Sequence, residues 1–345
     1  MDMETVKEEP VFKDFSLMDE SRKLLENHFY DSAFINEYGR IETARSERYG
    51  LSYSVIIIHI ESFGGAKTAP GKKELLKFLK AVVSALMKVV RTCDVAGMLE
   101  DKRIIVILPH TDYFGSLITI KKIQKALESV STAGEPRAEI IFAQATYPKD
   151  ANGFGELVGT AGRRVAGRLK SLWVQLGLEG KLFWETVASL TSGTYGAEAY
   201  STFDTGPDLD LKNSFIQSVN SAILMEIART PEKRGILYLG VKKVSNDLPF
   251  MKDIETAGRT AMKIFVVGTD GSSVPDTKNS TTVALGDHRL EGVYFTFFMN
   301  EDAAYAVICR ENWGDTHNCF HTSDEFIVEG LITKFQRDYS LQEQL

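Results

Sequence analysis

Arg91 and Asp94 stand three positions apart, five residues ahead of the run Glu100-Asp101-Lys102-Arg103. An arginine can do recognition chemistry, because its planar fork bonds an anion through two parallel N–H groups and also stacks on a flat ring. The same Arg-x-x-Asp also suits an i,i+3 ion pair at a helix end, worth little in stability, where the helix dipole alone favours arginine. Other stretches carry weaker signals. Residues 64–73, GGAKTAPGKK, sit between a strand and a helix as a phosphate-cradling loop does. Yet Gly65 and Gly71 enclose five residues rather than four, and Lys73 stands where a hydroxyl should hold magnesium. GFGELVG, residues 153–159, misses the dinucleotide spacing and reads as a turn opening a helix. His317, Cys319 and His321 alternate, which in a strand puts all three on one face. A metal needs a fourth ligand and suitable geometry, so an ordinary surface segment is expected there. No Ser/His/Asp set or Cys/His pair stands out by spacing.

The elements that position these residues follow from periodicity. A short helix over 16–30 leads into an amphipathic segment closed by Gly50, a natural helix stop. Residues 52–60, SYSVIIIHI, form a continuous β-branched run of the buried-strand kind. Apolar residues at helical spacing follow from 72 to 90. Strands are expected at 95–98, 104–108 and 139–146, with helices at 113–128 and 155–170. Residues 171–210 include a Gly/Ser/Pro-bearing connector, which places a domain boundary there. Beyond it come helices at 212–228, 250–260 and 324–339. Strands fall at 235–241, 263–267, 292–298 and 303–309, and residues 268–282 form a loop too polar to bury.

Composition bounds the function. The chain has 345 residues, enough for two domains. Its 43% hydrophobic and 25% charged content is that of a soluble globular protein. A net charge of −7 argues against a general nucleic-acid binder. Three scattered cysteines, Cys93, Cys309 and Cys319, do not suggest a disulfide framework, so a reducing compartment is expected. The acidic N-terminus lacks the apolar core of a signal peptide, and no apolar run approaches membrane-spanning length. A cytoplasmic protein with neither nucleic-acid nor membrane partners is expected.

Taken jointly, the strand SVIIIHIESF, the long helix, RTCD, a hairpin and ILPHTD resemble the GGDEF domain of diguanylate cyclases over roughly residues 24–170. Further matches are Glu42, Arg45 and Arg48-Tyr49-Gly50 in the first helix, His59-Ile60-Glu61-Ser62-Phe63 at the strand end, and ATYPKD ending at Asp150. The resemblance implies an α/β (α+β) fold: a ferredoxin-like, nucleotidyl-cyclase palm with a central antiparallel sheet flanked by helices. It also implies a bacterial signalling role in making or reading cyclic di-GMP, which the cyclases assemble from two GTP molecules. Its metal-binding carboxylates would fall at His59, Lys102 and Arg103, near Glu61, and its guanine contacts at Lys67 and Leu76. Joining nucleotides needs divalent metal held by carboxylates. These substitutions therefore imply a catalytically silent domain with no metal and no cofactor. The family's product-inhibition site, which grips phosphate and guanine, would fall at Arg91, Asp94 and Lys122.

Residues from about 210 to 340 resemble the DICT domain, a module that accompanies GGDEF proteins and two-component systems. The resemblance rests on SFIQSVNSAILMEIA with Ser218 and Glu226, on the stretch from RGILYLG to KIFVVG, and on FHTSDEFIVEGLITKF. The expected organisation is an N-terminal segment (1–23), a degenerate GGDEF domain (24–175), a linker (176–209) and a second, smaller α/β sensory domain (210–345). Three functions compete: a silent receptor of cyclic di-GMP, a scaffold that contacts protein partners only, and an active cyclase with unusual ligands. A signalling protein partner and a homodimer fit the first two.

Overall fold

The run Tyr53–Phe63 forms β1, an interior strand of a four-stranded antiparallel sheet ordered β2-β3-β1-β4. The computed structural model describes residues 29–63, 72–99, 103–130, 138–195, 200–204, 209–270, 279–311 and 317–341. It divides the chain into two units, Met1–Ser171 and Leu172–Leu345. In the first, the order is α1 (Ser32–Tyr49), β1, α2 (Lys72–Val89), β2 (Val95–Met98), β3 (Ile104–Pro109), α3 (Tyr113–Val130), β4 (Ala138–Tyr147) and α4 (Phe154–Leu169).

β1 is apolar on both faces because helices cover both. Val55 and Ile57 join Ile35 of α1 and Leu157, Ala161 and Val165 of α4 in one core. Ile56 and Ile58 join Val82, Val83 and Leu86 of α2 and Ile120 and Ile123 of α3 in the other. α1 is bounded locally. The Asp31 carboxylate accepts the Phe34 N–H at 2.8 Å, and Gly50 closes the helix at φ +63°, where a side chain would be strained. α4 opens at Phe154 after Gly153, the turn and helix start expected of GFGELVG. The expected helix over 16–30 lies almost wholly outside the described residues, as does most of GGAKTAPGKK.

The second unit runs α5 (Leu172–Gln175), α6 (Phe183–Ser192), β5 (Tyr200–Asp204), α7 (Leu209–Arg229), β6 (Gly235–Lys243), α8 (Met251–Ala257), β7 (Met262–Thr269) and β8 (Thr281–Ala284). A 3-10 turn (His288–Gly292), β9 (Val293–Asn300), β10 (Ala304–Glu311), β11 (His317–Thr322) and α9 (Glu325–Asp338) complete it. Its seven strands are ordered β5-β11-β10-β9-β6-β7-β8. β6, β7 and β8 are parallel to one another, and the other pairings are antiparallel. One face packs against α7 and α8 through Leu237, Leu239, Ile264 and Phe298. Phe183 of α6 and Phe335 of α9 pack rings against Phe295, with centroids 6.1 and 5.4 Å away.

The second unit departs from expectation in four places. Its sheet is the larger of the two, not the smaller. The stretch expected as a linker, 176–209, carries α6 and β5, because Phe183, Val187 and Leu190 are buried rather than spanning solvent. The polar loop expected over 268–282 ends in β8, an edge strand with Thr281 and Ala284 exposed. His317 and Cys319 belong to an interior strand and are buried, so the segment is not an ordinary surface one. There the β10–β11 hairpin brings Cys309 opposite Cys319, and the two form a disulfide that their sequence spacing did not suggest. Among the described residues no helix is long and apolar enough to cross a membrane.

Candidate functional site

The β1–β3 register pairs Ile57 with Ile105 and Ile58 with Ile104. The pairing ends there, and its continuation by one step would set His59, still on β1, opposite Arg103, the residue just before β3. Both side chains are half-buried and share the face of Ile57 and Ile105, under α4. Arg103 reaches α4 itself: a methyl group added to Gly162 would lie 2.8 Å from its Nη1. A guanidinium has no lone pair to offer a cation, so this pair does not fit a divalent metal. Among the described residues no three His, Cys, Asp or Glu side chains are grouped to hold one. Glu61 ends on β1 and Leu76 lies in α2, but neither side chain is among those described. Lys67, Glu100, Asp101 and Lys102 lie outside the described residues.

Arg91 follows α2 directly, and its side chain turns back on its own segment. Its Nε and Nη2 donate to the Asp94 carboxylate at 3.2 and 2.9 Å, and its backbone N–H donates at 2.6 Å. Nη2 also donates to the Pro109 carbonyl at 3.1 Å and to the Thr111 hydroxyl at 2.7 Å. Between those two partners His110 adopts a left-handed backbone, φ +51°, so Arg91 bridges both sides of the β3–α3 turn. The Asp94 side chain is 2% exposed and the Arg91 side chain 53%. The acid is thus consumed by local bonds, whereas part of the guanidinium faces solvent. Lys122 lies on α3, exposed, and bonds to no described residue. The structure brings Arg91 and Asp94 together as an ion pair. It adds Thr111 and the Pro109 carbonyl, which sequence spacing alone did not single out although Pro109 ends β3 and Thr111 follows it by two residues.

Other motif residues are structural in their contacts. The Asp150 carboxylate accepts both Arg164 Nη groups at 2.9 Å and the Thr146 N–H at 2.8 Å, closing the β4–α4 turn. Burial opposes ionisation of Asp150, but Arg164, the Thr146 N–H and Lys149 together outweigh it and hold the carboxyl below its ordinary range. In the first helix Glu42 is buried and pairs with Arg45 at 2.7 Å. In the second unit Ser218 bonds back to the Ser214 carbonyl at 2.8 Å and Glu226 pairs with Arg229 at 3.4 Å, both within α7. His317 Nε2 lies 3.4 Å from Glu311, which Lys242 also contacts. A cluster that no local spacing could disclose joins three elements. Trp184 of α6 donates to Asp287 at 3.2 Å and to the Tyr339 hydroxyl at 2.6 Å. Arg289 grips the same Asp287 carboxylate and lies over the Trp184 ring at 5.3 Å.

A sequence pattern described as "Diguanylate cyclase, GGDEF domain" matches residues 28–166. No curated protein matches the chain. Among solved structures, the chain is similar to the diguanylate cyclase SiaD of Pseudomonas aeruginosa in complex with its activator SiaC. That match has 16% identity and a TM-score of 0.37, and covers 42% of this chain and 56% of that one. The chain therefore spans little more than half the length of SiaD. The GGDEF domain of YfiN from Pseudomonas aeruginosa matches with 15% identity and a TM-score of 0.37, covering 41% of this chain and 92% of that one. The GGDEF domain of DgcB from Caulobacter crescentus, in complex with c-di-GMP, matches with 13% identity and the same TM-score, covering 41% and 87%.

Proposed function

Residues 28–166 form a GGDEF domain of the diguanylate cyclase family, and from that premise we propose that this domain does not condense GTP but serves cyclic di-GMP signalling as a receptor. The observation that supports the catalytic half is that the β1–β3 register ends at Ile58 and Ile104, next to His59 and Arg103, which stand at the positions the family fills with carboxylates. Phosphodiester formation needs metal held by carboxylates beside the phosphates. A guanidinium and an imidazole in that place repel a cation or offer it too few ligands. The receptor site is assigned to Arg91, Asp94 and Lys122. The solvent-facing part of the Arg91 fork would take phosphate while its other N–H groups stay on Asp94 and Thr111. The unit from Leu172 onward is assigned to signal input or partner contact. Purified protein given GTP with magnesium or manganese is expected to yield no cyclic di-GMP above background. Product that disappears in His59→Ala would return the chain to the enzymes.

The saturation of Asp94 favours a second reading, a domain that contacts protein partners and binds no nucleotide. Calorimetric titration with cyclic di-GMP separates the two. The receptor reading expects micromolar binding that Arg91→Ala or Asp94→Ala abolishes and Lys122→Ala weakens. A folded protein that gives no heat at high ligand concentration belongs to the second reading.

A further inference from the structure

The second unit holds a cleft of about 660 Å³ at the β7 edge of its sheet, within the range of small-molecule sites. It exists because β8 is short. Pairing between β7 and β8 begins only at Phe265 with Thr281, so Met262, Lys263 and Ile264 run past the end of β8 and form a wall. Phe265 stacks on Tyr238 with ring centroids 4.8 Å apart, and both line the cleft with Val283. The rim is polar and basic. Arg259 and Lys263 lie on it, with Asn279 and Ser280 from the segment that enters β8.

The charges there are one-sided. No aspartate or glutamate is among the described lining residues, although the chain as a whole carries a net charge of −7. Arg229, Arg289 and Arg337 of the same unit each hold an acid. Arg259 enters no hydrogen bond or ion pair with any described residue. Its backbone is nonetheless anchored on both sides. Gly258 turns the chain at φ +68° after α8, and the next hydroxyl, Thr260 Oγ1, donates to the Pro231 carbonyl at 3.1 Å and accepts the Met262 N–H at 3.1 Å. An uncommitted guanidinium on a fixed turn, above an apolar and aromatic wall, suits a ligand with one anionic end and one flat or greasy body.

We propose that this cleft binds a small organic anion, a ring or short aliphatic body bearing one carboxylate, sulfonate or phosphate group, with the anion on Arg259 and the body against Phe265 and Val283. The site is independent of the nucleotide chemistry assigned to the GGDEF domain. Anilinonaphthalenesulfonate serves as the probe on the full chain, with uncharged phenylnaphthylamine as its neutral counterpart and benzoate as competitor. The sulfonate is expected to bind at one saturable site, to be displaced by benzoate and to lose affinity roughly tenfold in Arg259→Gln, one charge-assisted contact. The neutral dye is expected to be indifferent to that change, and Val283→Trp, which fills the wall, is expected to exclude both. Arg259 is exposed and bonds to no described residue, so its variant should keep the thermal midpoint of the parent and remain informative even where Val283→Trp does not fold. Sulfonate binding by Arg259→Gln as tight as by the parent, or no displacement by benzoate, would overturn the proposal.

Discussion

Arg91 has two tasks that a single substitution separates from a neighbour's. It neutralises a carboxylate that is almost fully buried and ties the β3–α3 turn to the end of α2. Arg91→Ala is therefore expected to lower unfolding stability by about 2 kcal/mol, since Asp94 keeps its burial and loses its charged donors. Arg91→Lys should recover only part of this, because a point charge cannot serve Asp94 and Thr111 together. Lys122→Ala should leave denaturant unfolding unchanged, so any change in cyclic di-GMP affinity there reports ligand contact alone. Asp287 offers a test by pH. The hydrogen bond from Arg289, opposed by partial burial and aided by the Tyr339 hydroxyl, holds its carboxyl well below the usual range. A depressed carboxyl stabilises the fold above its unfolded value of about 4 and loses that contribution as pH falls below it. The stability difference between the parent and Asp287→Asn should be constant above about pH 5 and shrink on further acidification. A difference that grows in acid would contradict the assignment.

Among the elements, α1 and α6 draw their stability from opposite sources. α1 presents Phe34, Ile41 and Tyr49 to solvent and buries little beyond Ile35, Gly39, Glu42 and Ser46, so its ends matter. Asp31→Ala removes the acceptor for the Phe34 N–H and should cost about 1 kcal/mol, as N-cap losses do. α6 has no side-chain oxygen at its N-cap, Leu182, and depends on what Phe183 touches. That ring is fully buried and meets Phe297 and Phe335 edge-on at 6.1 and 5.1 Å. Phe183→Ala should cost about 3–5 kcal/mol, measured by denaturant midpoint at constant slope.

At the scale of the whole molecule, two sheets with separate cores predict two unfolding events. Calorimetry of the full chain should resolve two transitions, with Ile57→Ala moving one and Phe183→Ala the other, since each residue lies in a different unit. A single transition displaced by both variants would show the units to unfold as one. This division also bears on the boundary. Contacts place it at Ser171 and Leu172, ahead of α5, whereas composition placed it in the Gly/Ser/Pro-bearing connector of residues 191–208.

The GGDEF half was legible because its signals are local. A strand buried on both faces must carry a continuous apolar run, as 55–58 is, and a helix stop such as Gly50 acts on its own turn. The proposal of a silent catalytic centre rests on residue types, His59 and Arg103, since no fold gives an arginine a lone pair. Tertiary structure alone decided what depends on distant partners. Trp184, Asp287 and Tyr339 meet across 155 positions, and 172–192 belongs to the second core because Phe183 finds Phe335 there. Arg91 and Asp94 were visible as a pair, but their spacing could not say whether the acid faced a ligand or its own arginine. The β3–α3 turn decided that by bringing the Pro109 carbonyl and Thr111 within reach of the same guanidinium.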